Sequence, residues 1–545
     1  MNIFNPIYQK LFVIIAAMMT AMPAAIAQNP FLPLWEFIPD GEPHVFEDPD
    51  KPGEYRVYVY GSHDSDITRY CGVEQVVWSA PVGDLHQWRY DGVSFRNTCD
   101  AKGNMLKDGR GDLLYAPDVC EVTDKTGRKT YYLYPNNQEK GREGMICKSD
   151  RPDGPFVVCN WDPADSLKTT GVTRFDPAVL VDDDGRVYAY WGINHNYAAE
   201  LDPTTMCTVK PGTKVIEDMI PSCRNDDTFR FFEASSIRKI KDKYVFIYSR
   251  WSRKGEWGMY DSNYTLAYAY SDHPLGPWTY GGTLIDGRAR HTTPDGHTIA
   301  TATPWGNTHG SIFEAEGQWW LVYHRQTNTD EYSRQAMACP LTVNIEKGKG
   351  GKVTIREGEY TSEGFTTEGL NPFHRTPAAL ACYYTGPEPA KNKYPHFYFS
   401  GSYVASRRVK PSNQQVLGEV FEHGTHALKH EFCTVMNNTS GSVVGYKYFR
   451  FDKKKTSGKI NLEVRLVPAG IDGTINILCG GPSEAEGGKV IATIKVKADA
   501  PKTMTTITTP VSNMKGVSGK QPVYFRFSAA TKKQSLCEFV DFCFK

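Results

Sequence analysis

The chain of 545 residues has no net charge, because 62 acidic residues match 62 basic ones. No basic run points to nucleic acid, and no acidic tail points to a disordered solvating segment. The sequence has no Cys-x-x-Cys pair and no cluster of histidines among its 13 cysteines and 14 histidines, which argues against zinc. An odd cysteine count leaves at least one thiol unpaired in a monomer. A large domain does not need disulfides, so several buried free thiols are expected. After the N-terminus no apolar run approaches membrane length, so no transmembrane span is expected. No long helical periodicity occurs there either. The N-terminus itself reads as a secretory signal peptide over residues 1–27: Lys10, an apolar run over 11–22, then the small-x-small triplet Ala25-Ile26-Ala27. That predicts a mature chain beginning near Gln28 and a secreted or periplasmic location.

What the chain has is aromatic residues, 12% of the total with 31 Tyr, a composition that suits strands. They recur in five similar segments, each a short apolar strand, a tight polar turn and a second, aromatic strand. The second strands are Tyr55-Arg56-Val57-Tyr58-Val59-Tyr60, Tyr131-Tyr132-Leu133-Tyr134, Val187-Tyr188-Ala189-Tyr190-Trp191, Tyr244-Val245-Phe246-Ile247-Tyr248 and Trp319-Trp320-Leu321-Val322-Tyr323. Hairpins repeating every ~60–75 residues predict a five-bladed β-propeller, over residues 30–355. An outer echo, Ser149 to Phe156 and Ser271 to Trp278, supports the repeat count. Residues 356–392, rich in Gly, Lys, Glu, Thr and Pro, read as a linker. From 393 to 545 short alternating strands predict a second all-β domain, a jelly-roll-like sandwich.

Asp40, Asp118, Asp176, Glu233 and His309 fall at or just before the first strand of successive repeats, which lines the channel of a propeller. The repeats therefore aim carboxylates from different blades into one pocket. Facing carboxyls are the equipment of glycoside hydrolysis: one protonates the leaving oxygen, another activates water, and a third negative charge holds the acid's pKa up. Glu233 lies between Phe232 and Ala234, a poor place for a solvated charge, so burial with a purpose is expected.

In order, one per blade, the motifs Tyr60-Gly61-Ser62-His63-Asp64, Tyr115-Ala116-Pro117-Asp118, Arg174-Phe175-Asp176-Pro177, Phe232-Glu233-Ala234, Asn307-Thr308-His309-Gly310 and Tyr323-His324-Arg325 resemble glycoside hydrolase family 43. The resemblance implies a five-bladed propeller and an inverting glycosidase, with carboxyls about 6.5–9.5 Å apart. It implies Asp40 as general base, Asp176 as the residue that tunes the acid, and Glu233 as general acid. A two-residue gap would make Glu42 the base; the ungapped match to Asp40 keeps the strand pattern. Asp118 is either a sugar contact or a structural channel residue. His309 resembles the family's channel histidine, which in many members binds calcium or its water shell; the alternative is a satisfied core histidine. Arg334 resembles an arginine that holds substrate or base, and Trp305 and Trp251 are candidates for sugar stacking. The chemistry requires no cofactor, and calcium enters only as a structural ion.

Residues 393–545 resemble carbohydrate-binding module family 6 through Val444-Gly445-Tyr446-Lys447-Tyr448-Phe449 and Phe539-Val540-Asp541-Phe542. No tryptophan follows Trp320, so the module is either a sugar binder or a brace. The leading reading is removal of terminal α-L-arabinofuranosyl or β-D-xylosyl units from plant polysaccharide or oligosaccharide. Endo-arabinanase, β-galactosidase and a non-catalytic glycan-binding protein are the alternatives.

Overall fold

The computed structural model describes residues 28–65, 69–106, 109–303, 306–329, 331–387, 401–406, 433–515 and 517–545. The signal-peptide segment and Trp305 lie outside these residues. Five antiparallel sheets follow one another along the chain. Glu42–Glu47, Tyr55–Tyr60, Gln75–Pro81 and Arg89–Phe95 form the first. The second, third and fourth open at Asp118–Thr123, Ala178–Val181 and Phe231–Ile240. The fifth has three strands, Ser311–Ala315, Gln318–Gln326 and Arg334–Leu341.

The period of two in the aromatic strands explains why these sheets stand around a ring. In blade one, Val57 and Val59 point to one side and pack with Phe313, Trp320 and Val322 of blade five. Tyr58 and Tyr60 point to the other and pack with Val119, Tyr131 and Leu133 of blade two. Cys120 and Tyr134 meet Val179 and Val187 between blades two and three. Tyr188 and Tyr190 meet Phe246 and Tyr248 between blades three and four. Val245, Ile247 and Leu266 meet Ile312 and Leu321 between blades four and five. Each strand is thus apolar on both faces, and full burial of each such side chain contributes about 1.5–3 kcal/mol. The outer echoes have a further use. The hydroxyl of Tyr60 donates to Pro152 O at 2.6 Å and that of Tyr190 to Pro274 O at 2.6 Å, so each echo ties its blade to the one before.

Ring closure needs glycine. Gly41 and Gly310 pair across blades one and five. A Cβ on Gly310 would stand 2.0 Å from Val322 O, so no side chain fits there. Asn29 takes the place of a fourth strand beside blade five: its amide donates to Ala338 O at 2.7 Å and its carbonyl accepts from Ala338 N at 2.8 Å.

The second domain is a sandwich of two sheets, as expected, but its boundary differs from the sequence reading. Thr376–Pro377 pairs with Cys537–Phe544, and Tyr383–Thr385 pairs with Val443–Phe451, so the sandwich begins near 376 rather than 393. Nor is 356–375 a solvated linker, for Tyr360, Phe365 and Leu370 are buried against blade five and the sandwich. Its polar composition concealed three anchors spaced too irregularly for strand or helix periodicity. Arg325 of blade five, fully buried, donates to Ala381 O at 2.9 Å and Ala379 O at 2.6 Å and fastens the two domains. The α-helix among the described residues is the single turn Lys453–Thr456, and no helix there is long and apolar enough to cross a membrane. The thirteen cysteines are free thiols, most of them buried.

Candidate active site

Asp40, Asp176, Glu233, His309 and Arg334 line one cavity of ≈ 290 Å³ at the mouth of the channel, together with Tyr70, Tyr115, Phe175 and Phe232. Asp40 precedes the first strand with φ 58°, a left-handed conformation that an aspartate tolerates better than most residues. It is held there on every side. Its backbone N–H donates to His324 Nδ1 at 3.1 Å, and Ser62 Oγ donates to its Oδ2 at 2.5 Å. Arg334 Nη1 donates to both carboxylate oxygens, at 3.1 and 3.2 Å. The rest of the Arg334 guanidinium grips Asp64 through Nε at 3.0 Å and Nη2 at 2.8 Å. Burial alone would raise the Asp40 pKa; Arg334 foremost, with the Ser62 hydroxyl, opposes it, and the carboxyl is held below its usual value. His324 must be neutral, since its Nδ1 accepts the Asp40 N–H, which leaves the proton on Nε2 facing Asn307 O at 2.9 Å. Burial and the nearby Arg334 agree, pushing its pKa down to about 3.

Glu233 is aimed by a defect in its strand. The pairing of Phe231–Ile240 with Lys243–Ser252 slips between Phe231 and Glu233 and again between Glu233 and Ser236. A bulge of this kind re-aims a side chain. Ala234, at φ 65°, completes the kink, and its N–H donates to Asp176 Oδ2 at 3.0 Å. Burial first, then the charge of Asp40, push the Glu233 carboxyl up to about 8, against the opposing pull of Arg334. Asp176, at φ 47°, is also pushed up by burial, Glu233 and Asp40. Two N–H donors pull it back, Ala234 N and Asn136 Nδ2, the latter at 2.9 Å from Oδ1. No donor among the described residues reaches Glu233. Two N–H donors hold Asp176 and none among the described residues holds Glu233, which favours the acid form on Glu233. The pocket holds a carboxyl kept low by an arginine, a second pushed toward its acid form and a third that fixes the backbone beneath the second.

Other sequence expectations are redirected. Glu42 lies outside the pocket, 1% exposed, with Oε1 accepting from Ser236 Oγ at 3.0 Å and from Arg238 Nη2 at 2.6 Å. The two-residue gap is thereby disfavoured: a shift of two along the strand moves the carboxylate down the channel. Asp118 does not contact the pocket, which corrects its assignment to substrate. Its Oδ1 meets His44 Nε2 at 2.8 Å and Val119 N at 2.7 Å, and its Oδ2 accepts from Val179 N at 2.6 Å, a staple across three blades. Trp251 packs edge-on against Phe232, ring centroids 4.9 Å apart.

His309 is a wall of the pocket, its Nδ1 3.8 Å from Asp176 Oδ2, and burial lowers its pKa. Among the described residues the cluster with metal-ligand spacing is Glu42, His44 and Asp118, without His309. There His44 is committed to Asp118 and Glu42 to Arg238, which leaves Glu42 Oε2 as the buried oxygen with no hydrogen bond. Calcium takes six to eight oxygens. One free carboxylate oxygen beside an arginine does not fit a calcium held by protein ligands at this cluster.

Sequence reasoning missed the roles of Ser62, Asp64, Asn136 and His324. A positional signal existed: Ser62, Asp64 and Asn136 follow the second strand of their blades, on the rim where the first strand begins.

The model of "Glycosyl hydrolases family 43" matches residues 81–346. A "Xylosidase/arabinosidase" of Thermoclostridium stercorarium is 36% identical over 372 residues, 65% of this chain and 71% of that protein. An "Arabinoxylan arabinofuranohydrolase" of Paenibacillus polymyxa is 29% identical over 361 residues, 61% of this chain and 53% of that protein. A solved family 43 arabinoxylan arabinofuranohydrolase from Bacillus subtilis, in complex with cellotetraose, is 21% identical with a TM-score of 0.44, covering 94% of this chain and 96% of that one.

The different surroundings of Asp40 and Glu42 separate two variants. Glu42→Gln leaves Arg238 without its counter-charge and lowers stability by about 1–3 kcal/mol, read as a drop in the urea midpoint, with the pocket intact. Asp40→Asn keeps the midpoint near wild type, because Arg334 retains Asp64, and abolishes turnover. A stable, inactive Glu42→Gln would reverse the two roles.

Proposed function

The chain belongs to glycosyl hydrolase family 43 and is a glycosidase; from that premise we propose that it removes single α-L-arabinofuranosyl or β-D-xylosyl units from the ends or branches of plant cell-wall polysaccharide, by inversion and outside the cytoplasm. The observation that carries the reading is the placement of two carboxyls with opposite surroundings in one pocket, Asp40 gripped by Arg334, which holds it low, and Glu233 buried and pushed up to about 8. Asp40 takes a proton from water as that water attacks the anomeric carbon. Glu233 delivers its proton to the departing glycosidic oxygen on the other side of the sugar. Asp176 is a positioning residue that fixes Ala234 beside the acid. No covalent intermediate forms, and no cofactor takes part.

The choice of sugar rests on the names of the relatives, which include arabinosidases and xylosidases. Exo action rests on shape. At ≈ 290 Å³ the cavity is small for a ligand pocket and suits a terminal ring rather than a chain. Tyr70, Tyr115, Phe175 and Phe232 supply apolar surface for that ring.

Three measurements test this. Proton NMR of the first product released from an aryl arabinoside or xyloside shows inverted configuration; a retained anomer refutes single displacement. Glu233→Gln loses roughly 10²–10⁴-fold on substrates with poor leaving groups and much less on activated aryl glycosides. An equal loss on both would remove Glu233 as the acid.

The third is the pH profile of kcat/KM. Activity falls as pH drops through the depressed Asp40 pKa, because the base gains a proton. It falls again as pH rises through about 8, because Glu233 loses one. Arg334 lowers both pKa values, so Arg334→Gln moves both limbs to higher pH, the acid limb further because the guanidinium touches Asp40. Movement of either limb to lower pH would contradict the electrostatic assignment.

A further inference from the structure

The zero net charge of the chain hides an uneven split. Residues 376–545, which contain every strand of the sandwich, carry 23 lysines and arginines against 12 aspartates and glutamates. The preceding residues carry the opposite imbalance, so a basic sandwich is fastened to an acidic propeller. A groove of ≈ 680 Å³ crosses part of this basic surface, lined by Asn371, Phe373, Arg450, Lys453, Lys455 and Lys520. Its carboxylates are already occupied. Asp452 Oδ1 accepts from the backbone N–H groups of Lys454 and Lys455, and Glu368 pairs with Arg450. Lys520 pairs with Glu363 at 2.6 Å. Lys453 and Lys454 are exposed, with no carboxylate partner among the described residues. Lys455 Nζ lies 4.7 Å from the centroid of the half-buried Phe373 ring.

We propose that this groove docks an acidic polysaccharide, one whose sugar rings carry carboxylates. Lysines on flexible stems are point charges that suit scattered carboxylates, whereas bidentate recognition of one fixed anion favours arginine. Phe373 adds an apolar ring to the groove lining beside Lys455. The split of charge gives the site a purpose. An acidic propeller repels a uronate-bearing chain, and a basic accessory domain offsets that repulsion and steers the polymer toward the enzyme. The inference depends on the glycosidase assignment only in preferring a polysaccharide to another polyanion.

The test is affinity electrophoresis of the full chain in gels containing polygalacturonate or neutral arabinoxylan, at increasing salt. Polygalacturonate retards the protein, arabinoxylan does so much less, and salt weakens the retardation. The variant Lys453→Gln/Lys454→Gln/Lys455→Gln loses about five- to tenfold in affinity. The control Lys495→Gln/Lys497→Gln/Lys502→Gln, which removes the same charge from the strand Lys489–Val496 and the turns beyond it, stays near wild type. All variants keep the wild-type melting temperature and hydrolyse small aryl glycosides at the wild-type rate, so a failed glycosidase assignment shows up separately. Equal losses in the two variants would mean diffuse charge and no groove site. Equal retardation by both polysaccharides, or tighter binding to DNA than to polygalacturonate, would overturn the acidic-polysaccharide reading.

Discussion

Arg334 carries a buried positive charge between two aspartates that flank the inner hairpin of blade one. Asp40 precedes that hairpin and Asp64 follows it, while Arg334 opens the third strand of blade five. Desolvating a guanidinium costs several kcal/mol unless its partners are well placed. Here it makes contacts with both carboxylates, and its Cζ stands 5.0 Å from the Tyr70 ring centroid. The arrangement ties the last blade to the first on the face where the ring of apolar contacts opens into the pocket. It also sets the chemistry. The guanidinium keeps Asp40 ionised, and the ionised Asp40 in turn raises Glu233. One buried cation thus ties the first and last blades together and biases both carboxyls.

Around that charge the backbone is bent where function needs it. Asp40, Asn136, Asp176 and Ala234 have φ of 58°, 50°, 47° and 65°. Such conformations cost on the order of 1–3 kcal/mol each and persist when neighbours over-determine them. The neighbours are visible: Asp176 accepts the Ala234 N–H, Asn136 donates to Asp176, and His324 accepts the Asp40 N–H. The strained positions therefore hold one another, which explains why Glu233 sits on a bulge rather than in a regular strand.

The sandwich belongs to the same body. Its apolar core is continuous with that of blades four and five, and the buried Arg325 bonds carbonyls at the joint. This supports the brace reading of the domain without opposing a binding role, because the basic groove lies on its surface.

The repeating aromatic strands determined the five blades, since a period of two with apolar residues on both faces has few solutions other than strands packed on both sides. The motif order likewise determined which positions reach the rim, and so brought Asp40, Asp176 and Glu233 together. Three matters waited for the tertiary structure. Asp118 occupies an equivalent position to the site carboxylates, yet it turns to His44 and Val179, because backbone N–H groups of the next blade capture it first. The anchors Tyr360, Phe365 and Leu370 were lost in a polar segment, because burial there comes from distant partners and not from local pattern. The proton on Glu233 depends on burial, on Asp40 and on an arginine about a hundred residues further along the chain. Electrostatic energies follow distance in space, which a linear sequence does not contain.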